Sequence, residues 1–524
     1  MGKRQRRLLS LLLGVLLLFS GCDTGGGKGG EIYKSDLTSS ISGLDPQFTV
    51  SAGEQAVILN IFEGLVRLTP EGEILPGAAE SWDVSANGLT YTFHLREGMI
   101  WPGDSDKPEE TSAPITADDF VFAFERVFGS PSSPHAEDFT AIQYGAEALA
   151  GKTSPKLIGV KAIDELTVEF TLIRKDPRFL EKLASPAAMP CNREFFAECR
   201  GRYGLSPELI RENGPFAVAR WDDDRIALRQ NTFYYNAEGV TALGADLYLG
   251  KDDPYKRYKS GETDLMLEPV VEKGAGGSAD THRATVWCLF LNRNDDTFGA
   301  PMLRQALAAT VDREALSAVL TEGFETTDVL VPPAMTLGGK PLAEYAAFSS
   351  SVVYDPAAGE QLYRRGLELL GVERVAAATL FVPDTGGHDD FAGSLCQTWR
   401  DTLSLTVEVK RLPLAELEER YRTGDYQMLL LPVTPTTADP GEYLNSFPAV
   451  DAGGVYSRLL HEADEQTTLE GMAGKYGQAQ NLLLEDAAII PLYSQDRRYL
   501  FRQGIAGLQI FPFTSAVYYA EATG

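Results

Sequence analysis

The stretch from Leu44 to Trp101, LDPQFTVSAGEQAVILNIFEGLVRLTPEGEILPGAAESWDVSANGLTYTFHLREGMIW, constrains the fold more than any other part of the chain. Its opening, Leu44-Asp45-Pro46, is extended, because a proline drives the residue before it out of the helical region. An apolar helix follows, carrying Asn60, Phe62, Glu63 and Gly64. Thr69-Pro70-Glu71-Gly72 reads as a turn, then comes the Pro76–Trp82 block, and Leu89 to Arg96 reads as a strand. Helix and strand alternate in this way along the whole chain, which predicts an α/β fold.

At 524 residues the chain is too long for one hydrophobic core and should divide into two or three units. Its 44% hydrophobic and 10% aromatic content is that of a globular protein. A net charge of −27 argues against nucleic acid as a partner, since phosphate binding needs a basic face. The acidity otherwise reads as a solvated surface and says nothing of substrate.

Residues 1–21 read as a targeting segment. Lys3, Arg4, Arg6 and Arg7 form a basic head, and Leu8–Phe19 is apolar but short for a membrane span. The segment ends Leu18-Phe19-Ser20-Gly21-Cys22, similar to a bacterial lipoprotein cleavage site with Cys22 as the lipidated residue. An ordinary secretory signal with an incidental cysteine is the alternative. Gly25–Gly30 then reads as a flexible tether.

Further along, Thr116 and Asp119 form a capping box ahead of a helix with Phe120, Phe124 and Val127 on one face. Leu157–Leu172 reads as a hairpin turning at Asp164-Glu165. Pro301 and Pro356 each open a helix, the second after the N-cap Asp355 and ending at Gly371. Cys191 and Cys199 flank a short helix, which at ~1.5 Å per residue sets them too far apart to bridge. Cys288 lies in an apolar strand and Cys396 in a helix, and spacing does not decide their pairing. Gly274–Ser278 lacks the lysine and spacing of a phosphate-binding loop and reads as a flexible connection.

The ordered set of turn, helix, Pro76-Gly77-Ala78-Ala79-Glu80-Ser81-Trp82 and Phe93-His94-Leu95-Arg96 resembles the oligopeptide- and dipeptide-binding family of solute-binding lipoproteins that feed ABC importers. Asn231–Asn236 with Tyr234 and Tyr235, the KSGETD turn at Lys259–Asp264 and IIPLY at Ile489–Tyr493 extend the likeness over nearly all of residues 31–524. Gly145–Leu172 favours the oligopeptide branch.

The resemblance implies a type II periplasmic-binding fold: two α/β lobes, a discontinuous hinge, and an extra subdomain inserted in the first lobe. It places the first lobe in residues 31–75, 193–284 and 493–524, the inserted subdomain in 76–192 and the other lobe in 285–492. It implies a monomeric binder without cofactor, held at the outer face of a membrane by lipid on Cys22, passing peptides to a permease. The same fold with a metal chelate, opine-like compound, glycan fragment or signalling peptide as ligand is the second reading.

Carried over residue by residue, the family's ligand contacts are mixed. The motif x-Pro-x-x-(Phe/Tyr)-Leu-Asn stands at Asp439–Asn445, and the acidic anchor for a peptide amine that precedes it falls on Thr436, leaving Asp439 as the nearest acid. The loop with Val433 and Thr434 lacks the family's Arg, Trp and Asp, and Pro432 and Pro435 remove backbone donors. A first-lobe acid falls on Val50, with Glu54 nearby. His388 falls where a histidine meets the peptide carboxylate; a surface-loop histidine beside Asp389 and Asp390 is the alternative. His135 falls where a tyrosine covers the peptide, and the alternative is a plain loop residue. Tyr421, between Arg420 and Arg422, replaces an arginine, and Tyr493 faces either cleft or core. A disulfide frequent in relatives falls on Thr285 and Thr434, so the resemblance implies that this bridge is missing.

The five histidines, His94, His135, His282, His388 and His461, form no zinc motif, and no nucleophile motif is present. A secreted lipoprotein enzyme is therefore a remote third reading, with nothing positive to support it.

Overall fold

The computed structural model describes residues 30–37, 39–103, 111–250, 253–267, 278–447 and 454–524. The targeting segment with Cys22, nearly all of the tether and residues 274–277 of the Gly-rich loop lie outside them.

The first lobe carries a four-stranded sheet in the order Ile32–Asp36, Gly244–Tyr248, Arg225–Gln230 and Phe216–Trp221, its first pair parallel. The subdomain sheet is antiparallel and runs Ala79–Val84, Thr90–Leu95, Thr167–Thr171 and Val160–Asp164. Along the outer hairpin Val168 and Phe170 are buried and their neighbours half-buried, as a one-sided strand requires. The helix Ala117–Gly129 covers this sheet, and Asp119 accepts the Thr116 backbone N–H at 2.8 Å, as the capping box demands.

The other lobe is built on a seven-stranded sheet, and its two longest strands, Ser278–Leu291 and Ile489–Phe501, pair antiparallel over nearly their full length. Inside the lobe Val286, Cys288 and Phe290 enter one core, and Trp287, Leu289 and Leu291 enter the core on the opposite face. Both faces are covered, which is why the sequence reads as an unbroken apolar run there. At their far ends the same two strands reach Leu265–Met266, and Tyr499 joins the first lobe's core. This ribbon connects the two lobes.

Helix boundaries follow the predicted punctuation in most places. Asp355 caps Pro356–Leu370 through the Ala358 N–H at 2.9 Å, and Gly371 ends it at φ +68°. One element departs. The helix predicted to carry Phe62, Glu63 and Gly64 spans Ala52–Ile61 and stops at an extended Phe62. Asn213 captures the next residue: the Glu63 N–H donates to Asn213 Oδ1 at 3.0 Å, and Asn213 Nδ2 donates to the Glu63 carbonyl at 2.8 Å. Gly214 is required beside it, because a Cβ there would lie 2.6 Å from Ile61 backbone carbon.

Cys191, Cys199, Cys288 and Cys396 are all free and buried. Thr285 and Thr434 stand side by side, their hydroxyls hydrogen-bonded at 2.8 Å. Side chains that meet so closely make this pair a candidate for an engineered bridge. The double variant T285C/T434C should form a disulfide on oxidation, seen as a loss of two hydrogen atoms by intact mass. We expect a gain of roughly 1–2 kcal/mol in stability, since engineered bridges return less than the chain-entropy limit. Two persistently free thiols under oxidising conditions would refute the geometry.

Candidate functional site

A cleft of about 630 Å³ lies where the lobes meet, within the size range of small-molecule sites. The first lobe and subdomain supply most of its wall, from Val50 to Leu75, around His135 and Asp138, from Glu181 to Met189 and from Gln509 to Tyr518; the opposite lobe supplies Thr436, Thr437, Ala438 and Glu442. Leu59, Phe62, Val66, Leu75, Met189 and Phe511 make much of that wall apolar.

The lobes are drawn together over the cleft by direct polar contacts. Arg178 Nη1 meets Asp439 Oδ2 at 2.5 Å, and Arg178 Nε donates to Glu181 Oε2 at 2.8 Å. The other Glu181 oxygen accepts the Gly338 N–H at 2.6 Å, and Arg174 donates to the Asp464 carbonyl at 2.6 Å. Lys182 and Asp176 pair at 2.7 Å beside them. Arg178 is 10% exposed and Asp439 31%, so closure takes this pair largely out of water.

Of the predicted contacts, the structure brings His135, Thr436 and Val50 to the cleft. His135 Nε2 donates to the Thr49 carbonyl at 2.7 Å, and its Nδ1 lies 3.7 Å from Asp138. Burial opposes the protonated ring, but Asp138 and the Thr49 carbonyl outweigh it and hold the His135 pKa above its ordinary value.

The remaining candidates are engaged elsewhere. Asp439 does not offer an open carboxylate, because one oxygen pairs with Arg178 and the other caps Pro440–Asn445 through the Glu442 N–H at 2.8 Å. Glu54 accepts from Ser42, Gly43 and Thr49 and is 4% exposed, so it ties down its own loop. Thr434 is held by Thr285, and Val433 pairs with Val286 in the sheet. The Tyr421 ring packs 4.9 Å from Phe290 and lines no part of the cleft, while Arg420 and Arg422 pair with Glu416, Asp425 and Glu419 on the surface.

His388 is not the surface-loop residue of the second sequence alternative. It is neither on the surface nor in the large cleft: it is buried, 4.0 Å from the Trp287 ring and hydrogen-bonded through Nδ1 to the Tyr493 hydroxyl at 2.7 Å. Burial, only partly offset by Asp389, lowers its pKa to about 4. Tyr493 is a core residue, and the pocket beside the pair is about 10 Å³, room for one water.

Sequence reasoning missed Glu63, Arg67, Glu442 and Tyr518 as cleft residues. Arg67 was the readable signal, a cation in the middle of the short strand Val66–Leu68. The Asn-x-x-Tyr-Tyr element serves this wall too, since Tyr234 and Tyr235 donate to the Glu63 carboxylate at 2.5 and 2.8 Å.

The profile of the bacterial extracellular solute-binding proteins, family 5 (middle), matches residues 73–454. The chain is 27% identical over 519 residues to the probable deoxycholate-binding periplasmic protein YgiS of Escherichia coli, covering 94% of this chain and 93% of that one. It is 25% identical to the dipeptide-binding protein DppE of Bacillus subtilis, covering 97% and 98%. Among solved structures, the substrate-binding domain of an oligopeptide ABC transporter from Bacillus anthracis superposes with a TM-score of 0.62 at 25% identity, covering 95% of this chain and 99% of that one. The murein tripeptide binding protein MppA in its unliganded open form gives 0.65 at 22%, covering 95% and 98%.

Proposed function

The chain belongs to family 5 of the bacterial extracellular solute-binding proteins, and we propose that it captures short peptides in the cleft between its lobes and passes them to an ABC permease. The observation that carries this reading is the polarity of the cleft wall. Arg67 stands beside Tyr518, while Asp138 and Glu442 stand with His135, so a zwitterionic chain finds both signs of charge across an apolar floor. The names of relatives that bind dipeptides and oligopeptides support it. Lipid on Cys22 would hold the protein at the outer face of a membrane as a monomer. In this reading the chain divides at residues 75, 192, 284 and 492: the subdomain shares one core with the first lobe, through Phe124 and Phe170 with Tyr33, Leu228 and Tyr519, and the crossings at 284 and 492 fall within the paired strands Ser278–Leu291 and Ile489–Phe501.

A second reading, an amphipathic organic acid, is favoured by the apolar wall and by the relative named for deoxycholate. It draws weight from the absent amine anchor: Thr436 carries no charge, and Asp439 is taken by Arg178. Native mass spectrometry of protein purified without denaturation separates the two. A ladder of adduct masses matching short peptides is the expected result. A single defined non-peptide mass would overturn it.

A further inference from the structure

Arg67 is the feature of the cleft that the protein itself leaves incomplete. Its guanidinium makes one hydrogen bond, from Nη1 to the Tyr518 hydroxyl at 3.0 Å, and stacks over that ring at 5.4 Å. Nε is buried with no partner. Among the described residues no carboxylate oxygen lies within 4.0 Å of its nitrogens. Glu63, the nearby acid, is turned away: both its oxygens are held by Tyr234 and Tyr235, and burial raises its pKa against the opposing pull of Arg67 and the tyrosines. Against burial, Tyr518 and Glu63 together hold the Arg67 pKa above its ordinary value, yet no carboxylate touches the guanidinium, and a half-buried cation in a mostly apolar wall is ordinarily paired directly. The same low-dielectric setting strengthens any anion that enters.

We propose that Arg67 is the anion anchor of this cleft, and that the cargo is a carboxylate-bearing molecule whose apolar body lies against Phe62, Leu75 and Phe511. The proposal rests on the reading of this cleft as the cargo site. It fixes the chemical class of the cargo: a free acid is held and its uncharged derivative is not. A peptide C-terminus and an amphipathic acid share that chemistry.

Calorimetry with three probes tests it: trileucine as free acid, trileucine as C-terminal amide, and deoxycholate. Wild type should bind a free acid, and the amide at least roughly 30-fold more weakly. R67M should lose the same factor toward the acid and nothing toward the amide, and R67K should recover part of it. Binding of the tripeptide acid assigns a peptide source. Binding of deoxycholate alone, lost in R67M, upholds the anchor and overturns the peptide reading. Equal affinity of acid and amide, or unchanged affinity in R67M, overturns the anchor and leaves the peptide reading standing. Failure of all three to bind wild type overturns both. The ligand-free thermal midpoint separates anchoring from folding: R67M keeps the side-chain bulk and takes from Glu63 a charge that offsets its burial, so at most a small fall, with affinity for the acid lost, is expected. A fall in that midpoint with affinity intact would make Arg67 a structural residue and sink the proposal.

Discussion

Replacing Arg178 by methionine (R178M) is expected to weaken cargo binding by roughly 5- to 30-fold while leaving both lobes folded. Arg178 belongs to the subdomain and Asp439 to the opposite lobe, 261 residues apart, so their contact exists only when the cleft is shut. In an open form both groups are hydrated, and the net worth of pairing them is the attraction gained less the water lost. Asp439 keeps 31% exposure, which places the effect below that of a fully buried pair. Affinity for a ligand that binds the closed state falls by the factor that closure loses. Solution scattering of the ligand-free variant should show a larger radius of gyration, and calorimetry the weaker affinity. The acid limit follows from Asp439. Burial works against its charge, but Arg178 and the Glu442 N–H outweigh it and hold its pKa below the ordinary carboxylate value. A depressed acid stabilises the form that depresses it at pH above its ordinary value, and that contribution disappears as pH falls through the lowered one. The clasp should therefore act unchanged through neutral pH and fail only in strong acid. An R178M protein as compact and as tight-binding as wild type would show that other contacts hold the lobes shut.

How much of this was legible depends on how far each interaction reaches along the chain. The α/β architecture and the apolar strand through Thr285–Leu291 were readable, because periodicity is a local property of a sequence, whereas its start at Ser278, read as part of a loop, was not. So were the Asp355 cap and the Thr116–Asp119 box, whose partners lie three residues apart. The helix end at Ile61 was not, because Asn213, 150 residues on, decides it. The site was harder still. Asp439 reads as a free acid in the sequence, and only the fold brings Arg178 onto it. His388 reads as a loop histidine between glycines and aspartates, yet Trp287 and Tyr493 bury it from strands about 100 residues away on either side. Spacing identifies the family's positions; it does not show which side chains have already been claimed by others.

Stability should fall as pH rises from about 4.5 to about 7, and the variant E212Q should flatten that slope. Glu212 is 6% exposed, and its Oε1 accepts the Val218 N–H at 3.0 Å. No cation pairs with it among the described residues. Burial, opposed by the Val218 and Glu212 backbone N–H groups, pushes its pKa up from 4.5 to about 7. Below about 4.5 the folded and unfolded chains both hold the proton, and Glu212 adds no pH dependence. Between the two values the unfolded chain releases the proton while the folded one retains it, so folding loses stability with rising pH. Above about 7 both are ionised and the loss is complete, on the order of 3 kcal/mol. Glutamine keeps the carbonyl that accepts the Val218 N–H and never ionises, so its urea midpoint should match wild type near pH 5 and exceed it at pH 8. Asp119, raised by burial to about 6, contributes a slope of the same sign to both proteins, so the difference between the two curves isolates Glu212. The segment gives this titration a functional reach. Asn213, the next residue, clamps Glu63 in the cleft wall beside Arg67, so a charge forced onto Glu212 strains the support of the proposed anchor. Parallel urea-midpoint curves for E212Q and wild type from pH 5 to 8 would mean that Glu212 finds water or a partner and that its burial carries no such cost.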